Sequence, residues 1–163
     1  MNSFIFMPKN LHIWDFFCTF AQSLRKDDNC AIDSMSMKIE HIAITVSDLE
    51  RAKEFFVRYF GCTLGENYHN PRTGLHSCFV SFDGEARLEL MQWEDIDFVP
   101  ARLQDKTYFH LSVSVGSKKQ VDAMTARLQA DGYAIKSGPR TTGDGYYESA
   151  IALFDGIELE ITI

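Results

Sequence analysis

Cysteine, positive charge and long apolar runs are all scarce in this chain of 163 residues. The four cysteines, Cys18, Cys30, Cys62 and Cys78, lack C-x-x-C spacing, which removes the usual zinc-knuckle and dithiol patterns. The opening residues lack the charged start and small-residue cleavage site of a secretory signal, so reduced thiols in a cytoplasmic protein are expected. Lys and Arg number 16 against 23 Asp and Glu, a net charge of −7. That balance excludes a broad nucleic-acid footprint and disfavours an anionic membrane surface. No apolar run approaches the roughly 20 residues of a membrane-spanning helix. The expected partner is therefore a small molecule, with no nucleic acid and no membrane.

The first 36 residues stand apart in character. Leu11, Trp14, Phe17 and the Phe20–Ala21 pair would share one face of a short amphipathic helix, and a polar stretch through Asp28 and Asp33 follows. A docking helix is one use for such a face. The simpler expectation is an N-terminal extension outside the core fold, which then begins near Met37.

From Met37 onward the chain runs one programme twice, and the repeat organises everything else. "KIEHIAITV" (38–46) alternates: Ile42, Ile44 and Val46 share one face, while His41, Ala43 and Thr45 take the other. "YFHLSVSV" (108–115) does the same, with His110, Ser112 and Ser114 together. The two histidines are 69 residues apart. Each strand leads into a capped helix. Ser47-Asp48-Leu49-Glu50 and Ser117-Lys118-Lys119-Gln120 both read as capping boxes. Ala52, Phe55, Phe56, Tyr59 and Phe60 recur at helical spacing in the first, as do Val121, Met124 and Leu128 in the second, and Gly61 and Gly132 mark the ends. "NPRTG" (70–74) then matches "GPRTTG" (138–143), and "CFVSFDG" (78–84) matches "AIALFDG" (150–156). Two βαβββ modules are expected, at about 37–93 and 107–163, joined by an acidic linker at about 94–106.

The last strand of each module supplies carboxylates. In "RLELM" (87–91), Leu88 and Leu90 oppose Arg87, Glu89 and Met91; in "IELEITI" (157–163), Leu159 and Ile161 oppose Glu158, Glu160 and Thr162. Glu89 lies 48 residues after His41, and Glu160 lies 50 after His110. Glu158 competes with Glu160 but fits the repeat less well. Two imidazoles and two carboxylates suit a borderline divalent metal such as Zn, Ni, Co, Mn or Fe. Their charge offsets a 2+ ion, and four protein ligands leave a position for a substrate oxygen. A lone strand histidine is usually an ordinary polar residue, so the weight lies on the repeated pairing. His12, His69 and His76 have no counterpart in the other module and are expected on the surface or in loops.

The motifs "HIAITVSDLERAKEFFVRYFGC", "RLELM", "FHLSVSV" and "FDGIELEI" together resemble the vicinal oxygen chelate superfamily, also called the glyoxalase/bleomycin-resistance/dioxygenase family, over residues 38–163. The resemblance implies an α+β fold in which two βαβββ modules make a cupped mixed sheet around a metal. It also implies a homodimer, with sites sometimes completed across the subunit interface. His41, Glu89, His110 and Glu160 look like the four ligands of glyoxalase I, which implies a lyase or isomerase of the lactoylglutathione lyase type. There Glu160 would act as the base and proton transfer would run through a metal-held enediolate. Arg72 and Arg140, in the matched loops, are candidate anion clamps. Met91 and Trp93, on the Glu89 face, are candidates to line a pocket. Two positions depart from glyoxalase I. Thr45 stands where glutathione-using members typically carry an arginine, and the usual "DPDG" is shortened to "FDG". Alternatives are a metal-free small-molecule binding or resistance module, and an epimerase or dioxygenase of the same superfamily.

Overall fold

The alternation of branched residues in "HIAIT" makes β1 (His41–Thr45), and a parallel ladder joins it to β5 (Arg87–Trp93). The computed structural model describes residues 37–95 and 110–163. The expectations for residues 1–36 and for most of the acidic linker fall outside these. The unit from Ile39 to Ile163 carries all the elements that follow.

After β1 comes α1 (Leu49–Phe60), then the short strands β2 (Thr63–Leu64) and β3 (Tyr68–Asn70), β4 (Leu75–Ser81) and β5. The sheet order is β1-β5-β4-β2, with β3 also on β4. The second module repeats the plan with β6 (His110–Ser114), α2 (Lys118–Ala130), β7 (Ala134–Thr141), β8 (Tyr147–Ala152) and β9 (Glu158–Thr162). Its order is β6-β9-β8-β7, again with the first strand parallel to the last. The outer strand is irregular in both modules. In the first it is broken into β2 and β3; in the second, β7 shifts register twice around Lys136 and Gly138–Pro139. Such breaks blunt a sheet edge against unwanted pairing.

The helical stripes seen in the sequence face inward. Ala52 and Phe56 are fully buried, as are Val121 and Leu128, and all four join one apolar core with Leu90, Ile151, Leu159 and Ile161. Burying a phenylalanine such as Phe56 contributes about 2–3 kcal/mol. The modules meet through α1. Phe55 packs against Tyr133 and Phe154 of the second module, with ring centroids 5.4 and 5.7 Å apart. The Tyr59 hydroxyl donates to Asp131 at 2.5 Å, and the Arg58 guanidinium donates to the same oxygen at 3.0 Å.

The α1 cap differs from the expected box. Asp48, not Ser47, is the N-cap, accepting from the Arg51 amide at 3.0 Å, while Glu50 turns to Lys53. Ser47 is engaged from the other module: its amide and hydroxyl donate to the two carboxylate oxygens of Asp155, at 2.9 and 2.7 Å. Asp155 sits in the second FDG turn at φ 59°, where an L-residue is strained. At α2 Ser117 is the N-cap as expected, its Oγ accepting from the Gln120 amide at 3.3 Å, but the Gln120 side chain accepts from the Ser117 hydroxyl at 2.7 Å rather than closing the box on its amide. Gly61, with φ 65°, closes α1 as its position after the last periodic residue predicts. Among the described residues, no helix is long and apolar enough to cross a membrane.

Candidate functional site

The two modules place their histidine–glutamate pairs by the same register. Ala43 is the Cα partner of Glu89 in the β1–β5 ladder, and Ser112 is the partner of Glu160 in the β6–β9 ladder. In each case the glutamate faces the residue two beyond the histidine, on the same side of the sheet. The side chains then converge: His41 Nε2 lies 3.9 Å from Glu89 Oε2, and His110 Nε2 lies 3.3 Å from Glu160 Oε2. The carboxylates are largely covered (18% and 16% exposed), whereas both imidazoles are near 40% exposed.

The surroundings of His41 orient its ring. Its Nδ1 meets the carboxylate of Glu40, which also binds the Arg87 guanidinium. These two partners hold the Glu40 carboxyl below the usual carboxylate range, the His41 hydrogen bond being the larger influence. Arg87 lies over the Phe79 ring at 4.0 Å, and Phe79 meets the His41 ring edge-on at 5.3 Å. A carboxylate accepting from Nδ1–H leaves the lone pair on Nε2, the arrangement that orients metal-ligating histidines.

The second pair sits among more charge. Glu148 lies near Arg140 at 3.5 Å, and Glu158 is ion-paired with Lys136. Burial pushes the Glu160 carboxyl up from its usual value; His110 opposes the rise, and Glu148 and Glu158 add to it. A carboxylate raised in this way is a stronger base. Glu158 is buried and committed to Lys136, while Glu160 reaches His110.

Donors about 2.1 Å from one ion lie about 3.0–3.4 Å apart at octahedral or tetrahedral angles. The His110–Glu160 pair, at 3.3 Å, has that spacing, and the His41–Glu89 pair, at 3.9 Å, lies about 0.5 Å beyond it. The two pairs do not come together in one cluster among the described residues. Among the described residues, one group of three or more potential ligands falls within 4.8 Å, and it is His69, His76 and Glu94. These two histidines are at the surface, as expected, but on strands rather than in loops: they lie on β3 and β4 as direct cross-strand partners. Their placement at either end of "HNPRTGLH" is the hairpin signal that reveals the pairing.

The remaining expected residues divide. Met91 and Trp93 lie on the Glu89 face of β5 by strand parity, with Met91 opposite Thr45 and Trp93 opposite Leu75. Arg140 lies close enough to Glu160 to oppose the rise in its pKa. Its guanidinium also donates to Ser137 Oγ at 2.5 Å, so it is partly committed. Arg72 is exposed in the β3–β4 turn, where its amide donates to Asn70 Oδ1 at 3.1 Å. A cavity of about 950 Å³ opens between the modules, lined by Ile42, Leu88, Leu111, Val113 and Met124 among others. None of the four paired residues lines it, so it is not the chamber those pairs would serve.

Residues 38–161 match the model of the Glyoxalase/Bleomycin resistance protein/Dioxygenase superfamily, and the chain belongs to that family. A possible glyoxalase from Bacillus cereus shares the fold with a TM-score of 0.58 at 23% identity, covering 78% of this chain and all of that one. The glyoxalase I of Leishmania major, described as trypanothione-dependent, aligns with a TM-score of 0.62 at 20% identity over 78% of this chain and 86% of that chain. An uncharacterised Bacillus subtilis protein, YwkD, is 30% identical over 79 residues, which span 48% of this chain and 62% of that protein.

Proposed function

We propose that this protein is a metal-dependent enzyme of the glyoxalase I type, a lyase or isomerase that moves a proton between adjacent carbons of a small oxygenated substrate. The supporting observation is the shared register. Each module sets a glutamate opposite the residue two beyond its histidine, with nitrogen–oxygen distances of 3.9 and 3.3 Å. His41 and Glu89 from one module and His110 and Glu160 from another would hold one divalent ion, of the Zn, Ni, Co, Mn or Fe class. Because the halves stand apart within the chain, a homodimer that faces one copy's first module with the other's second would complete the set. Such an ion would supply Lewis-acid polarisation of a substrate oxygen.

The chain's own groups do the rest. Glu160, its carboxylate free to leave the donor set, would take the proton from one substrate carbon and return it to the neighbouring carbon. His110 orients that carboxylate from 3.3 Å. Glu40 fixes the His41 ring through Nδ1. Met91 and Trp93 supply apolar lining, and Arg72 and Arg140 grip anionic substrate groups. A positioned general base typically contributes about 10²–10⁴-fold. Thr45 removes the arginine expected for glutathione, which favours a different thiol adduct. A metal-free binding module is the second reading, favoured by the separation of the two pairs in one chain.

The test is elemental analysis and sedimentation of protein purified without added metal, followed by assay with methylglyoxal and glutathione, then other thiols. A first-row metal in a dimer, with one equivalent per four-donor set lost on Glu89→Ala, is the expected result. Metal-free protein indifferent to chelators and to Glu89→Ala defeats the proposal.

A further inference from the structure

His69, His76 and Glu94 lie on the opposite face of the first sheet from His41 and Glu89. Strand parity settles this. Phe79 is the register partner of Glu89, whereas His76 pairs with Gln92 and with His69. His76 therefore shares the side of Cys78 and Val80, the side that α1 covers further along.

The cluster is held by both chain geometry and contact. The rings of His69 and His76 stack at 4.1 Å with 9° between planes. Glu94 Oε1 lies 2.7 Å from His76 Nε2 and 3.5 Å from His69 Nε2. The Glu94 amide donates to the Gly74 carbonyl at 3.0 Å, which ties the end of β5 to the hairpin turn. Gly74 is needed there twice over. Its φ is 68°, and a Cβ on it would come within 3.3 Å of the Glu94 Cβ and 3.4 Å of Oε2. The turn thus makes room for the carboxylate that completes the group. All three side chains are between about a third and a half exposed, so an ion reaches them directly.

We propose that His69, His76 and Glu94 form a second divalent-cation site that fastens the β3–β4 hairpin to the end of β5. Two imidazoles and one carboxylate within 4.8 Å of one another make a face with open positions for water. Such a set selects Zn²⁺, Cu²⁺ or Ni²⁺ over Mg²⁺ or Ca²⁺, which favour all-oxygen sets. Binding turns the two near-parallel rings toward a common point, a rotation about the broad χ2 torsion. The ion replaces the contacts of Glu94 with the two imidazoles by three bonds to one centre. It also fixes the loop that carries Arg72.

The experiment uses full-length protein stripped with a chelator, with Zn²⁺ alone as the probe at pH 7.5. Three forms are compared: wild type, His69→Gln/His76→Gln, and Glu89→Gln/Glu160→Gln. Zn²⁺ at a hundred times its Kd should raise the wild-type Tm by about 5–10 °C. That rise should persist in Glu89→Gln/Glu160→Gln and shrink by more than half in His69→Gln/His76→Gln. Histidine-selective ¹H–¹⁵N spectra should show the His69 and His76 ring signals shifting in the first titration step. Glu94→Gln, a milder change at an exposed position, should weaken binding at least tenfold. No shift of the two ring signals, or equal Zn²⁺ binding by His69→Gln/His76→Gln and wild type, overturns the site. Loss of binding confined to Glu89→Gln/Glu160→Gln overturns it too, while leaving the four-donor proposal standing.

Discussion

Asp155 joins two opposing effects, and three substitutions separate them. Its carboxylate accepts from the Ser47 amide and hydroxyl at 2.9 and 2.7 Å, across the boundary between modules. Its backbone holds φ at 59°. The hydrogen bonds lie at the surface, so their loss costs about 1 kcal/mol, as for a helix cap. The left-handed conformation costs an alanine roughly 1–2 kcal/mol, and aspartate or asparagine less. Asp155→Ala loses both bonds and keeps the strain, for a total of about 2 kcal/mol. Asp155→Gly loses the bonds, sheds the strain and adds unfolded-state freedom, for a net cost of about 1 kcal/mol. Asp155→Asn keeps an acceptor and tolerates the backbone, at about 0.5–1 kcal/mol. At about 2–4 °C per kcal/mol, Asp155→Ala should lower Tm by about 4–8 °C and the other two by about 1–4 °C. Urea unfolding checks the order through midpoints at constant slope. An alanine variant within about 0.3 kcal/mol of wild type, or a glycine variant less stable than alanine, refutes the reasoning.

Two further outcomes follow from buried or part-buried hydroxyls. Thr125 Oγ1 donates to the Val121 carbonyl at 2.7 Å, so the Ser149 hydroxyl, 2.6 Å away, donates to Thr125. Thr125→Val should cost about 1–3 kcal/mol by stranding the fully buried Ser149 donor, and Thr125→Val/Ser149→Ala should cost less than the sum of the singles in a denaturant double-mutant cycle. Burial, aided by the Asp131 hydrogen bond, pushes the Tyr59 hydroxyl up to about 12. The folded value exceeds the unfolded one, so this stabilisation is complete below pH 10 and is lost as pH rises from 10 toward 12. Stability measured across that window should fall more steeply in wild type than in Tyr59→Phe; parallel curves would remove Tyr59 as the cause.

Much of the fold was legible because its signals are local. Period-two faces in "HIAIT" and "ELEIT" and the helical stripe ending at Gly61 each depend on residues within one element. The repeat then carried the pairing of histidine with glutamate from one module to the other. What escaped depends on residues far apart in the chain. Ser47 reads as a cap until Asp155, 108 residues later, claims its amide. The break between β2 and β3 follows no strong sequence signal beyond Gly65 and Asn67. The turn in "HNPRTGLH" announces that His69 faces His76, but not that Glu94, 18 residues after His76, joins them. The match of residues 38–161 to the superfamily model agrees with the family resemblance that the motifs carried.

The common register of β1 with β5 and of β6 with β9 has an evolutionary consequence. Each module holds its histidine–glutamate pair by itself, fastened by one backbone ladder. Drift in one module therefore leaves the pair in the other in place. What relates one pair to the other is the surface that presents one module to its neighbour.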